Sequence, residues 1–268
     1  MACKPLTLLV ALVILASCGQ RDGWRVEDWP AAEQSDVRVD HGLWQDLLDR
    51  YLVHQDQGLN RFDYARLRDN DASLLDTYLN RMSEVQLARL SRDEQMAYWI
   101  NLYNALTVRE ITKAYPVASI LELQNGDGPW KTKVFQVANR SLSLDDIEHK
   151  LLRGLWQEPR IHFAVNCASI GCPDVRPKAF SGHALEQDLS AAARAYLASA
   201  RGVSVNDDQL ILSSLFDWYA TDFGDNATQV RQTLANYADE TTAATLRQWQ
   251  GSVDFAYDWA LNDVEQTD

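Results

Sequence analysis

The chain has 268 residues, 46% of them apolar, with nine Trp and ten Tyr, so it carries the material for a substantial core and is no disordered tail. Its formal net charge is −13, and a surface of that sign repels nucleic acid and anionic lipid. A phosphate-backbone partner is therefore excluded.

In chain order, Lys4 precedes an uncharged apolar run from Leu6 to Leu15. That length suits the core of an export signal and is too short to cross a bilayer as a helix. Leu15-Ala16-Ser17-Cys18 follows directly and matches the lipobox of bacterial lipoproteins, in which the cysteine is acylated and becomes the mature N-terminus. The expectation is a signal peptide over 1–17, lipid on Cys18 and firm anchoring by several acyl chains. Gly19 stands where Asp would favour retention in the inner membrane, so the expected location is the bacterial cell envelope, at the periplasm-facing leaflet of the outer membrane. No other apolar run approaches a membrane span. Residues 18–36 are polar, hold Pro30 and lack periodicity, and read as a tether.

The remainder, 37–268, reads as a single globular domain without repeats. Leu43, Leu47, Leu48, Tyr51 and Leu52 recur at helical spacing over about 41–54, and Leu74, Leu75, Tyr78, Leu79 and Met82 over about 72–82. Ser91 with Glu94 forms a capping-box pattern that opens a helix running to Tyr115, where Pro116 stops it. Met96, Trp99, Ile100, Leu102, Tyr103, Leu106 and Ile111 occupy nearly every face of it, so it should be buried and central. Lys133–Val137 reads as a strand turned back at Asn139-Arg140, and Ser143 as the cap of a helix to about Arg153. Ile161–Val165 reads as a second strand, and a helix follows over about 184–199. Val203–Val205 and Leu210–Leu212 form a hairpin, with helices after it at about 214–220, 226–238 and 241–249. The fold class is α+β: a helix-rich single domain with a central buried helix and a small sheet.

Chemistry concentrates in Arg160–Pro173. A strand ending in Asn166-Cys167-Ala168-Ser169 would carry Cys167 to a sheet edge, and a thiol acts as a nucleophile when its pKa is lowered and a base is close. Five residues separate His162 from Cys167, which on an ideal strand puts them on opposite sides. His149 is therefore the preferred base, with Glu148, Asp145 or a core Asn to orient it. With Cys18 lipidated, Cys167 and Cys172 are the remaining thiols in an oxidising compartment, and a C-x4-C pair around a Gly-Pro turn can instead close into a disulfide. A zinc site is disfavoured, because that spacing exceeds most zinc knuckles and the histidines lack ligand spacing; no metal and no cofactor are expected. Asn101 and Asn104, three apart on the buried helix, need partners, either neighbouring loops or a substrate. His41, His54 and His183 sit in polar surroundings and are expected at the surface. Asp222-Phe223-Gly224 and Gly126-x-Gly128 lack the companions of kinase and phosphate-loop motifs.

Four pieces in order, Trp99–Thr107, Leu144–His149, Arg160–Ser169 with Cys172-Pro173, and Phe216-x-Trp218-Tyr219-x-x-Asp222-Phe223, resemble the family known as domain of unknown function 547 (DUF547), over about 85–225. Gly171 stands where that family usually has Ser. The resemblance brings motif positions and no established reaction. It gathers His149, His162, Asn166, Cys167 and Asn104, a set that suits papain-like or transglutaminase-like logic, in which a thiolate pairs with His and a carboxylate or amide orients the ring.

Two functions follow. One is an envelope-anchored cysteine-dependent hydrolase or acyltransferase on peptide or amide bonds, with Cys167 as nucleophile, His149 or His162 as base, Glu148 or Asn104 as orienter, and Asn101, Asn166 and Ser169 as binding groups. The other is a non-catalytic lipoprotein that binds a peptide or small-molecule ligand and carries a Cys167–Cys172 disulfide. Both place the protein on a membrane through Cys18. Labelled palmitate should enter the wild-type chain and not the Cys18→Ser variant, which should leave the membrane fraction; equal labelling of the variant would refute the lipobox reading.

Overall fold

The computed structural model describes residues 28–55 and 59–264. Residues 1–17, expected to form an export signal, and Cys18 lie outside the described residues. No helix among the described residues is long and apolar enough to cross a membrane.

The first elements are α1 (Gly42–Tyr51), a hairpin of β1 (Leu52–Gln55) and β2 (Leu59–Phe62), α2 (Tyr64–Asn70) and α3 (Ala72–Ser83). The central helix α4 spans Arg92–Ala114. Ser91 caps it, its hydroxyl accepting from the Glu94 amide at 3.2 Å. Glu94 does not return the bond. Its carboxylate instead accepts from the Val39 and Gly182 amides, each at 2.8 Å, tying two distant segments to the start of the helix. Met96 through Val108 are all buried, and α4 stops at Tyr115, which Pro116 keeps from helical dihedrals. Packed around α4 are α2, α3, a helix of π-type hydrogen bonding over Asp146–Trp156, and α5 (Leu185–Ala198).

Between them, β3 (Phe135–Val137) and β4 (Arg140–Leu142) pair antiparallel through a turn in which Ala138 and Asn139 both take positive φ, the geometry that matches strand twist in a two-residue hairpin. A second cluster of apolar side chains lies under β5 (Val203–Asn206), β6 (Gln209–Ser213) and β7 (Ser252–Ala256), with the short α6 (Leu215–Trp218) and α7 (Ala220–Phe223) and then α8 (Ala227–Tyr237) and α9 (Glu240–Gln248). Strand β6 pairs antiparallel with β5 and parallel with β7. The molecule is thus the helix-rich α+β domain expected, with three small sheets where one was expected.

Several local expectations change, among them the helix read over 41–54, which ends at Tyr51 where the chain enters β1. The stretch 161–165 is no strand: Pro159 opens a 3-10 helix, Pro159–Phe163, capped by the Glu158 carboxylate on the Arg160 amide at 3.0 Å. All of Ile161 to Val165 is buried, so this run carries no alternation to separate strand from helix. Part of the stretch expected to be a tether packs on the domain instead: Trp29 is buried edge-on against Trp99 at 5.2 Å and the Pro30 carbonyl accepts from the Gln95 amide at 2.7 Å. Finally, His41 is buried, where a surface position was expected.

His41 hydrogen-bonds Tyr78 through Nδ1 at 2.8 Å, while its Nε2 is buried without a partner. Burial lowers its pKa to about 4, against a weaker opposing pull from Asp40. A base held neutral in the folded state contributes fully above its ordinary value near 6.5, and that contribution is lost as pH falls from there to about 4. Urea denaturation should show a loss of about 3 kcal/mol across that window. His41→Gln should remove most of the slope, and an unchanged slope in that variant would assign the acid sensitivity elsewhere.

Candidate functional site

A cavity of about 150 Å³ opens where the two apolar clusters meet. Its lining joins Cys167, Cys172 and His162 to Glu148 and Tyr103, with an aromatic wall that includes Trp130, Trp218, Tyr219, Tyr257 and Trp259.

Cys167 stands on a buried irregular loop, and each peptide group there needs a partner. Asn104 on α4 clamps the loop, its amide donating to the Ala164 carbonyl at 2.9 Å and accepting from the Asn166 amide at 2.8 Å. The Asn166 side chain closes the next turn, accepting from the Ala168 amide at 2.8 Å and donating to the Pro173 carbonyl at 2.7 Å. Ala168, fully buried, takes φ of 60°, a left-handed conformation that costs energy without glycine and concentrates at functional sites. Asn101 does the same work one turn away, exchanging two hydrogen bonds with the Phe180 backbone. Both helix amides therefore hold loops.

The chain's last segment lies against this loop. Ile170 and Gly171 donate to the carbonyls of Ala260 and Asp258, each at 2.8 Å, and Asn262 donates to that of Ala168 at 3.0 Å. This pairing brings Tyr257 over the cysteines. Its hydroxyl donates to Cys172 Sγ at 3.1 Å and lies 3.1 Å from Cys167 Sγ and 2.9 Å from the Ser169 hydroxyl. Burial pushes the Tyr257 phenol well above its ordinary pKa, against a smaller lowering by Ser169, so it remains a protonated donor. Cys167 and Cys172 are joined as a disulfide, their Cα atoms 6.2 Å apart, within the usual range for bridged cysteines.

Across the cavity, His162 Nε2 donates to Asp222 at 2.7 Å. Arg153 grips the same carboxylate with two bonds of 2.5 and 2.8 Å. Burial works to raise the Asp222 carboxyl, but the hydrogen bonds from His162 and Arg153 override it and hold the group well below the usual carboxylate range. Tyr219 sits between them: its ring stacks on His162 at 4.2 Å and carries the Arg153 guanidinium 4.9 Å from its centroid. With Nε2 committed to Asp222, Nδ1 is the nitrogen of His162 left to take a proton.

The structure thus brings His162 to the cavity that Cys167 lines, and not His149. Without a strand at 161–165, counting residues along it no longer separates His162 from Cys167. His149 is about a third exposed, with Nε2 3.7 Å from Asp145 and Nδ1 3.2 Å from Arg153. Glu148 does line the cavity, buried and accepting from the Tyr103 hydroxyl at 2.8 Å. Ser169 is there through Tyr257, while Asn101, Asn104 and Asn166 stand behind the wall as braces. Sequence reasoning missed Arg153, Tyr257 and Trp259 as site residues and met Asp222 only within a quoted motif. No group of metal-binding residues occurs among the described residues.

Residues 87–197 match the family model described as "Protein of unknown function, DUF547". No curated protein and no solved structure matches the chain. The matched segment holds both cysteines, His162 and Glu148, whereas Asp222, Tyr219, Tyr257 and Trp259 come from beyond it.

Gly171 is where the two segments touch most closely: a Cβ there would lie 2.8 Å from the Asp258 nitrogen and 2.9 Å from its carbonyl oxygen. Gly171→Ala must push the last segment away, and should cost about 1–3 kcal/mol in urea denaturation. A change within about 0.5 kcal/mol, the usual range of neutral surface substitutions, would mean the segment is loosely held.

Proposed function

We propose, for a chain whose residues 87–197 belong to the DUF547 family, that the protein is an envelope-anchored thiol catalyst of acyl transfer or hydrolysis, tethered through lipid on Cys18. Cys167 is the nucleophile, His162 its base and Asp222 the group that orients the ring. The observation that carries this reading is His162 on the lining of the cavity that holds Cys167, its Nε2 fixed from behind by Asp222, which Arg153 braces. A binding pocket has no need of a buried imidazole fixed on a carboxylate, whereas a thiol nucleophile does.

The disulfide makes the described state the resting one. Opening it takes two electrons and two protons, supplied by a dithiol that leaves oxidised. The freed Cys167 then loses its proton to His162 Nδ1. The thiolate attacks the acyl carbon, the carbon–leaving-group bond breaks, and the leaving group departs with the proton from His162. Water or an acceptor amine, deprotonated by the same histidine, then attacks the thioester carbon; the carbon–sulfur bond breaks and Cys167 leaves as the thiol, taking the proton back from His162. Ser169 and Tyr257 hydroxyls, 3.0 and 3.1 Å from Cys167 Sγ, are placed to donate to the thiolate.

The disulfide itself favours a second reading, in which the bridge is a permanent staple and the cavity only binds. Mass spectrometry after exposure to an activated acyl ester separates the two. Reduced wild-type protein should gain one acyl group on Cys167, and Cys167→Ser should gain none. His162→Ala should slow acylation by about 10²–10⁴-fold. A reduced, folded protein that gains nothing on Cys167 leaves the binding reading standing alone.

A further inference from the structure

The lining of the cavity also says what class of compound it takes. Among the described residues no Lys or Arg lines it, and Glu148 is its only carboxylate. Arg153, on the same helix, gives Nε and one Nη to Asp222 and its other Nη to His149, and His149 Nδ1 stands 4.0 Å from Glu148 without entering the lining. Facing Glu148's cavity are the rings of Trp130, Trp218, Tyr257 and Trp259, packed in one continuous cluster with centroids 4.7–6.1 Å apart. Aromatic faces carry negative quadrupole charge, and a desolvated cation near several of them is attracted more strongly than at a wet surface.

We infer that this cavity binds a small quaternary ammonium group, with the aromatic wall around it and Glu148 as its counter-charge. Three features select that class. Volume is the first: about 150 Å³ admits a guest of roughly benzene size, which a trimethylammonium head matches. Sign is the second, since an anion would meet Glu148 with no cation on the lining to offset it. The third is hydrogen bonding. A primary ammonium brings three N–H donors, and Glu148, which already accepts from Tyr103, is the one carboxylate on the lining to meet them, so donors left unmet against the aromatic wall would be costly. A quaternary ammonium brings none. The inference rests on the reading of this cavity as the substrate site and names the substrate's recognised group.

Tryptophan fluorescence of the full-length, oxidised protein in detergent tests it. Choline is titrated against 3,3-dimethylbutan-1-ol, its uncharged counterpart of the same shape, and against n-butylammonium. Choline should bind at least about tenfold more tightly than either, and Glu148→Gln should bring choline down to the level of the alcohol. The wild-type comparison stands even if that variant misfolds. Phosphocholine distinguishes the source: binding of both choline and phosphocholine fits a lipid headgroup, and binding of choline alone fits a free compound. The inference is overturned if the alcohol binds as tightly as choline, or if no ammonium binds up to about 10 mM. Because the bridged protein has no free Cys167 thiol, acylation of the same preparation after reduction decides the thiol reading separately. Acylation without ammonium binding sinks only this inference.

Discussion

A loop buried at the centre of a protein must find a partner for every peptide group, and here two asparagine side chains meet much of that requirement. Asn104 and Asn166 bind the backbone of residues 164–173, with Asn104 rooted in the buried helix α4. Their amides offer a donor and an acceptor on one flat group, which is what a turning backbone needs where no strand runs beside it. Leaving one such group unmet would cost about 1–3 kcal/mol. The loop can therefore hold Ala168 in a left-handed conformation beside Cys167, because its surroundings allow no alternative.

The same rigidity sets the geometry of the cavity. Cys167 and Cys172 keep a fixed separation, Tyr257 is delivered by a segment about 90 residues further along the chain, and His162 faces the same space from a separate turn. The helix bearing Glu148, His149 and Arg153 is of the wide π type, a form rare in general and found most often at functional sites. It places Glu148 inward, on Tyr103, and Arg153 outward, on Asp222. One helix thus supplies both the charge that faces the cavity and the cation that fixes the orienting carboxylate.

The sequence made some of this legible and hid the rest for physical reasons. The central helix announced itself through Ser91, Pro116 and an apolar face all round, because capping, proline and burial are local or nearly so. The hairpin at 203–212 was readable from its turn residues, whereas the turn read at Asn139-Arg140 falls one residue earlier, at Ala138-Asn139, with Arg140 already paired in β4. Cys167 and His162 stood out by residue type, but their relation did not. The run Ile161–Val165 is buried on all sides, and an apolar run without alternation fits a strand or a helical turn equally well. Tyr257 and Trp259 belong to a short irregular segment whose position is set by pairing with Ile170 and Gly171, a contact no periodicity encodes. Asp222 is separated by 60 residues from the histidine it orients, and sequence spacing carries no trace of that.

In the proposed chemistry His162, held by Asp222, acts on the sulfur of Cys167. The most direct test of that claim is the thiolate absorbance of the Cys172→Ser protein followed against pH, with the Cys167→Ser/Cys172→Ser double variant as the blank. Coupling predicts that Cys167 ionises well below the ordinary thiol value of about 8.5, and that His162→Ala in the same background moves it up by at least about one unit. A Cys167 that titrates at or above the ordinary value, unmoved by loss of His162, would contradict the claim.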